Sequence, residues 1–586
     1  MTMRTTFKTH IMLAVAAVSV LAGGATAAFA QNKGPGDVAI KGYVAPKQGE
    51  FPRLLFRESD LPRLKARAQT PEGKAIIARL KETLGGGDMM PENFSKDAPV
   101  NNADDKAVAK HPMGTYTLSH GAGFAFLYQL TGEKRYADLA RECLDKLFEG
   151  QVDRDSRYNW PTPGTGFRLG FVLQSICLTY DLAADAWPAD YKKSVVERVM
   201  NMRVKKVDKD QFFTLEDLAK AGGYPPGSNH YGAYLSGPGL AALTFMGEPG
   251  ADDKRLKGLL DQVEKNLVNL CGNGFGDHGW FAEGTSCGRI SSNHGVLPLL
   301  QSLKVAGGKD YISTWPNARF TVLRIMHEIV PMGGRAQFPH RGDYGNDNFY
   351  ERPMISNMGD FSQGMGAVLP REAEAMAWIY DKFVEPNNKT YNSYQYPHLA
   401  IYAYVNWPEK RTDPDDVFTK TLVDDTHGYY LTRNGWNDGN DILVSTLLKR
   451  GPGGYKSGAV RAGTMVWGFG EKLNFGGLGG KTAHYRASAD GSMELADEKG
   501  NALVVDFSKA SGAAAVIAAK GEVKAGAPKK GAITVVDAGG EKVSVLVLND
   551  AAPAVPTANG KDITIGGQTI TVDGNVLKLT KFSEKK

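Results

Sequence analysis

Cysteine is scarce in this chain, at four residues in 586: Cys143, Cys177, Cys271 and Cys287. No two of them form a C-x-x-C pair, which argues against a zinc ribbon. Cys143 and Cys177 lie inside apolar helical patterns and read as small buried hydrophobes. Cys271 and Cys287 are left open as a pair that an oxidising compartment could join. Charge of one sign is also lacking. The formal net charge is +5, and Arg4 and Lys8 supply two of those charges. That weak balance admits an anionic ligand but argues against a nucleic-acid binder with a wide basic face. Past the N-terminus, no apolar stretch approaches the ~20 residues of a membrane span.

What is present is ordinary for a globular protein in bulk: 42% hydrophobic and 23% charged residues, with 69 glycines and 10% aromatics. The length calls for two or three domains. The N-terminus reads as a signal peptide over residues 1–30. Arg4 and Lys8 form the basic region, "IMLAVAAVSVLAGGA" the apolar region, and Ala28-Phe29-Ala30 a small-x-small cleavage site before Gln31. The expected location is therefore periplasmic or secreted.

From about 57 to 405 the hydrophobic period is helical, and the helices come in pairs. "TYTLSHGAGFAFLYQLTG" precedes "EKRYADLARECLDKLFEG". "TGFRLGFVLQSICLTYDLAA" precedes "DYKKSVVERVMNMRVKKV". "NHYGAYLSGPGLAALTFMG" precedes "DDKRLKGLLDQVEKNLVNLC". "GRISSNHGVLPLLQSLKVAGG" precedes "YISTWPNARFTVLRIMHEIV". In each pair the first helix is apolar nearly all round and the second is amphipathic. That is what an inner and an outer layer of helices require. An (α/α) toroid over 31–410 satisfies the pattern, with a linear solenoid as the alternative. After roughly 411–417, "RTDPDDV", the period changes. Short β-type runs separated by Gly, Asn and Asp turns predict an antiparallel β-sandwich over 411–586.

Within the helical part, "PPGSNHYGAYLSGPGL" (225–240) puts breakers directly before an Asn-His-Tyr triplet. Ser228 or Asn229 is a natural N-cap. An amide beside an imidazole on the first turn is also a donor pair for a carboxylate, and the helix dipole adds positive potential there. Asn229 and His230 are thus candidate catalytic residues. The plainer alternative makes Asn229 a cap and His230 a packed core residue.

Several segments together resemble the heparinase II/III-like polysaccharide lyase family: "FPRLLFRESDLPRLKAR", "YQLTGEKRYADLA", "GSNHYGAY", "GDHGWFAEGTSCGR", "NGWNDGNDILVSTLLKRGPGGY" and "TAHYRASADGS". The resemblance runs from about 51 to 500. It implies a toroid joined to a β-sandwich, with the active site in the cleft between them. It further implies cleavage of a uronate-containing polysaccharide by β-elimination. Such a reaction must neutralise the C5 carboxylate, remove the C5 proton and protonate the departing C4 oxygen.

This chain departs from that family at several positions. Cys287 stands at or beside the place of the family's Tyr. Ser457, Ala459 and Arg461 replace a His, His, Asp run, and Asn474 and Phe475 stand where an acidic zinc ligand is expected. Only His484 remains of that set, so no structural zinc or other cofactor is expected. The polar loop at 333–353 offers replacements: His340 as base, Arg341 as a bidentate anion clamp, and Asp343, Tyr344 and Tyr350. Glu283 and Arg289 flank Cys287, and Glu283 can orient His230 or cap the next helix. Tyr231, Trp280 and Tyr344 are candidate sugar-contacting aromatics, and Trp160 is another. His294 and His120 read either as lining or as packing, with packing favoured for His120. His111, His278, His327, His398 and His427 read as structural. Two other functions stay open: a carbohydrate-binding protein on the same scaffold, and a toroid glycoside hydrolase using Glu283 and Asp343 as its carboxylate pair. The expected partner in each case is a saccharide, acidic for the lyase, and neither nucleic acid nor a membrane.

Overall fold

The computed structural model describes residues 34–92, 111, 113–161, 166–205, 211–332, 335–341, 348–349, 359–384, 396–448, 462–551 and 553–583. Several sequence expectations fall outside the described residues: the leader at 1–30, Asp343, Tyr344 and Tyr350, and the Ser457, Ala459, Arg461 set. The side chain of His340 falls outside them as well.

The longer helices are α1 (Pro71–Thr83), α2 (His120–Thr131), α3 (Lys134–Phe148), α4 (Gly166–Ala183), α5 (Ala189–Met200) and α6 (Asn229–Phe245). They continue with α7 (Asp253–Asn269), α8 (Leu297–Val305), α9 (Pro316–Glu328), α10 (Pro370–Ile379) and α11 (Pro397–Asn406). The paired pattern is observed. In α3 the buried side chains are Tyr136, Ala137, Ala140, Cys143, Leu144 and Leu147, a single stripe at helical spacing. Asp252 caps α7 by accepting the Arg255 N–H at 3.0 Å, and α7 buries one face through Leu256, Leu259, Val263 and Leu267. By contrast, α6 buries every residue from Tyr231 to Phe245.

The apolar helices pack on one another: α2 on α4, α4 on α6, α6 on α8, and α11 on both α1 and α2. The contact between α4 and α6 is too close for side chains. A Cβ on Gly170 would stand 2.0 Å from the Ala233 carbonyl oxygen. Gly295 is in the same position against Gly232 O, at 2.1 Å. Any larger residue at either position forces the backbones apart.

Among the described residues the C-terminal part holds three antiparallel sheets. The first runs β5-β4-β3-β2-β1, where β1 is Thr421–Asp424, β2 Tyr429–Arg433, β3 Leu443–Leu447, β4 Gly463–Gly468 and β5 Glu471–Leu473. The second has the order β6-β7-β8-β9-β11-β10, from β6 (Thr482–Ala487), β7 (Met493–Asp497), β8 (Ala502–Asp506), β9 (Ala515–Lys520), β10 (Ala532–Ala538) and β11 (Glu541–Leu548). The third sheet has four strands spanning Thr557–Asn559, Asp562–Ile565, Gln568–Asp573 and Val576–Leu579. The expected two-layer sandwich therefore gains a layer. Alternation in the middle sheet explains it. Leu495, Leu503 and Val505 face the first sheet, through Tyr430, Val444 and Val466. Ala496, Ala502, Val504 and Ala518 face the other way and are covered by Ile563, Ile570, Leu577 and Leu579.

The outer face of the first sheet packs on the helices. Tyr429, Leu431, Leu443 and Trp467 form one cluster with Trp280 and Val330. Buried charge crosses this seam. Arg433 is fully buried and donates to His327 O at 2.8 Å and Ile329 O at 3.0 Å. The Trp436 indole donates to Met326 O at 2.9 Å. Tyr429 donates to Glu328, which is paired with Arg324. Asp424 accepts the N–H groups of His278 and Trp280 at 3.0 Å each. Burial raises its carboxyl to about 7 and lowers Arg433 to about 10. The seam also accounts for α9, which the sequence pattern places in the half-exposed layer. Residues 321–328 of α9 are all buried, because the first sheet docks on the face that would otherwise meet water.

Arg433→Leu strips donors from two buried carbonyls and leaves Asp441, 3.5 Å from the guanidinium, without its cation. The expected loss of unfolding free energy is about 3–5 kcal/mol. Chemical denaturation monitored by tryptophan fluorescence measures it; a loss below about 1 kcal/mol contradicts the role assigned to the seam.

Candidate functional site

Accessible polar residues stand at the N-terminal ends of α4, α6 and α11. In α6, Asn229 and His230 are half-buried and every later residue is buried. In α4 the half-buried residue is Arg168, on the first turn. Tyr396 is half-buried directly before α11, whose residues 397–405 are buried. Helix N-termini carry unsatisfied N–H groups and a positive partial charge, so this end of the helices favours an anion.

The cap of α6 is not the one the sequence suggests. Ser228 is the N-cap, yet its side chain makes no capping bond, and its buried hydroxyl has no hydrogen-bond partner among the described residues. Asn229 does not cap either. The Asn229 N–H donates to Glu283 Oε2 at 2.9 Å, so a buried carboxylate 54 residues away closes the helix end. Ser291 Oγ donates to the Asn229 carbonyl at 3.2 Å. With the backbone held from both sides, the Asn229 amide side chain makes no hydrogen bond among the described residues and is open to a ligand. His230 stacks on Tyr224 at 4.4 Å with a 12° interplanar angle, and its edge meets Tyr234 at 5.9 Å. Its pKa is lowered, first by burial and then by the Arg168 charge, so the imidazole is neutral at pH 7.

Next to this pair lies an aromatic and imidazole cluster. Phe171, one turn on from Arg168, meets Tyr158 at 5.2 Å, His398 at 5.2 Å, Tyr396 at 5.8 Å and His294 at 5.9 Å. The Arg154 guanidinium lies over the Tyr396 ring at 4.9 Å. Arg157 is paired with Asp155, at 2.7 Å from Nε. The Tyr158 phenol is raised by burial, opposed by the nearby Arg168 and Arg157 charges.

The remaining candidates are placed differently. Trp280 is 2% exposed and stacks on Tyr429 at 4.4 Å, so it is seam core and offers no sugar-stacking face. Tyr231 is also buried, with its hydroxyl accepting from Asn269 at 3.1 Å. Arg289 is buried with its guanidinium over Phe338 at 5.4 Å. Arg341 is buried against the first sheet and donates to Ser445 O at 2.7 Å, rather than presenting an open fork. Glu283 accepts from the start of α6, and Asp343, its expected partner in a hydrolase pair, lies outside the described residues. His340 is placed only through its backbone, in a two-residue strand paired with Asn348–Phe349. The four cysteines are buried and form no disulfide among the described residues. His484 contacts Glu494 at 3.1 Å, and no group of three or more His, Cys, Asp or Glu among the described residues could hold a metal ion. No described helix is long and apolar enough to cross a membrane.

Sequence reasoning passed over Arg168, Tyr158, Tyr224 and Tyr396, and read His398 as structural. One signal was available: a polar or aromatic residue at the mouth of a helix that is otherwise apolar, as in "GFRLG" and "YPHLA".

No protein-family model matches the chain, and no curated protein matches it. Solved structures similar to it include heparinase III, at 10% identity over 86% of this chain and 92% of that one, with a TM-score of 0.39. A heparan sulfate lyase from Pedobacter heparinus matches at 11% identity over 87% and 92%, TM-score 0.40. A chondroitin AC lyase from Streptomyces coelicolor A3 in complex with chondroitin sulphate matches at 12% over 88% and 76%, TM-score 0.41.

Two outcomes test this geometry. Glu283→Ala removes the acceptor from the Asn229 N–H and is expected to cost about 1–3 kcal/mol, whereas Glu283→Gln, which keeps an oxygen there, is expected to cost less. Equal losses in denaturant unfolding refute the capping role. Arg168→Met takes a positive charge away from His230 and so favours the imidazolium. The His230 pKa, followed by NMR, is expected to lie below 6.5 in the wild type and to rise in the variant.

Proposed function

We propose that this protein is an exported polysaccharide lyase acting on a uronate-containing chain by β-elimination. The observation that carries the reading is the pair at the start of α6. An amide with no hydrogen-bond partner among the described residues and a neutral imidazole are its only accessible residues, on a helix end whose backbone is fixed by Glu283 and Ser291. Such a pair suits a carboxylate. Hydrogen bonds from Asn229 and His230 to the C5 carboxylate strengthen as negative charge develops on it when the C5 proton leaves. The C5–H electron pair then forms the C4–C5 double bond, and the C4–O bond breaks. The departing oxygen takes a proton. That proton comes from a neighbouring phenol, Tyr158 or Tyr224, and the base that takes the C5 proton is His340 from the 333–353 loop.

The same reading takes the apolar helices as the inner wall of an (α/α) toroid. Its support is the cyclic order of packing. Contacts pass from α11 to α2, α4, α6 and α8, then through Gly364–Ala367 and Gly359–Ser362 back to α11. Export as a periplasmic or secreted protein is part of the proposal and rests on the signal-peptide pattern of residues 1–30.

Asn229→Ala and His230→Ala are expected to lower kcat/KM on a uronate polymer by about 100-fold or more, read as ultraviolet absorbance of the unsaturated product. Asn229→Asp separates function from architecture. An aspartate on the first turn suits the helix dipole, so the fold tolerates it. It also sets a carboxylate against the substrate's own, so turnover is expected to collapse. Wild-type turnover in Asn229→Asp contradicts the assignment.

A further inference from the structure

His294 and His398 stand beside one another in the helical part, each in contact with Phe171. Both are surrounded by apolar and aromatic groups, and His398 is 6% exposed. The Nδ1 atoms of both are buried without a hydrogen-bond partner among the described residues. A buried nitrogen left unsatisfied is costly, on the order of 1–3 kcal/mol, and such groups are few in folded proteins. Two of them against one phenylalanine, Phe171, at 5.9 Å and 5.2 Å, call for an explanation that packing does not give. Burial pushes the two imidazoles down to about 4 and about 3, so both are neutral at pH 7 and can either donate or accept.

Their surroundings have the form of a saccharide site. Tyr158, Phe171 and Tyr396 make an aromatic wall, with Tyr158 and Tyr396 half-buried and 5.2 Å and 5.8 Å from Phe171. His294 lies on a π-helical turn, Ser292–Val296, a local widening that is frequent at functional sites. That turn is laced to the helix bearing Asn229 and His230. Ser236 donates to the His294 carbonyl, Ser291 donates to the Asn229 carbonyl, and Gly295 abuts Gly232. The two sets of side chains therefore share one end of the helical core.

We infer that His294 and His398, with Tyr158, Phe171 and Tyr396, form a second sugar subsite beside Asn229 and His230. There the pyranose face lies on the aromatic wall, and its hydroxyl groups bond the two Nδ1 atoms. The inference rests on the saccharide reading of the previous subsection. It adds that the sugar held here is recognised through its hydroxyl groups, to which each neutral imidazole can donate or from which it can accept. Sugar hydroxyls at the two Nδ1 atoms give these nitrogens the hydrogen bonds that the described residues do not.

The test uses the full mature chain and two probes, a mannuronate tetrasaccharide and a glucuronate-containing glycosaminoglycan tetrasaccharide. Calorimetric titration is done in the Asn229→Ala background so that the probe is not consumed. His398→Phe and His294→Phe keep an aromatic side chain and remove the nitrogens, while His398→Asn restores a polar group near the Nδ1 position. Each Phe variant is expected to weaken binding of the better probe about tenfold or more, with an unchanged or raised melting temperature, and His398→Asn to recover part of the loss. Probe binding unchanged in both Phe variants overturns the inference, as does failure of both probes to bind. If binding responds as expected but the wild type releases no unsaturated product, the subsite stands and the lyase reading falls. If product forms and the Phe variants bind normally, the lyase reading stands and the subsite falls. Should His398→Phe not fold, His294→Phe and His398→Asn carry the same decision.

Discussion

The helical half depends on how closely its apolar helices approach one another. Where α4 meets α6, and where the Ser292–Val296 turn meets α6, the backbones touch with no room for a Cβ at Gly170 or Gly295. This contact fixes more than packing. It sets the first turn of α6 against the turn bearing His294, and it brings Phe171 of α4 in front of both. Asn229, His230, His294 and Arg168 come from segments far apart in sequence. They converge because the helices carrying them cannot be separated without opening voids in a close-packed core. Along α4 the buried Ser175 and Thr179 donate to carbonyls one turn earlier, while Arg168, Asn229 and His230 stand accessible on the first turns of α4 and α6. There, unsatisfied N–H groups and dipoles make an anion welcome.

The second organising feature is the seam. The first sheet presents Tyr429, Leu431 and Trp467 to the helices and also receives charge from them. Arg433, Arg324, Glu328, Asp424 and Arg341 are all buried there, each with a named partner. Buried charge is weak evidence of stability in itself, but it punishes misalignment, because any sliding leaves ions unpaired. The seam therefore fixes how the sheets sit on α9. Arg341 and Thr285 carry that registration into the segment after Glu283, the residue that closes the α6 end.

The sequence reveals regular features more readily than long-range ones. The alternation of all-apolar and amphipathic helices was legible because burial on every side and burial on one side leave different periods. The β region was legible through short runs and turns. Its third layer was not, since alanines and valines on a strand do not say whether the sheet covering them belongs to the same sandwich. At the site, Asn229 and His230 stood out by type and position. The Glu283 cap could not be seen, because a carboxylate reaching a helix end across 54 residues leaves no local signature. For the same reason Trp280 and Arg341 looked like ligand residues. A tryptophan in a glycine-rich loop and an arginine in a polar one are read as accessible, and only the docked sheet shows them buried. Arg168 was passed over for the opposite reason. It sits in an apolar stretch, where a lone polar residue reads as a packed exception, and only the structure shows it half-buried beside His230.

The central claim is that the Asn229–His230 end of the helices supports elimination at a uronate and not hydrolysis. The most direct measurement is the mass of the products from a defined uronate oligosaccharide. Elimination adds nothing to the substrate, so the fragment masses are expected to sum to that of the parent, with the newly formed non-reducing end unsaturated. Fragments that together weigh one water more than the parent contradict the account and assign the chemistry to a hydrolase.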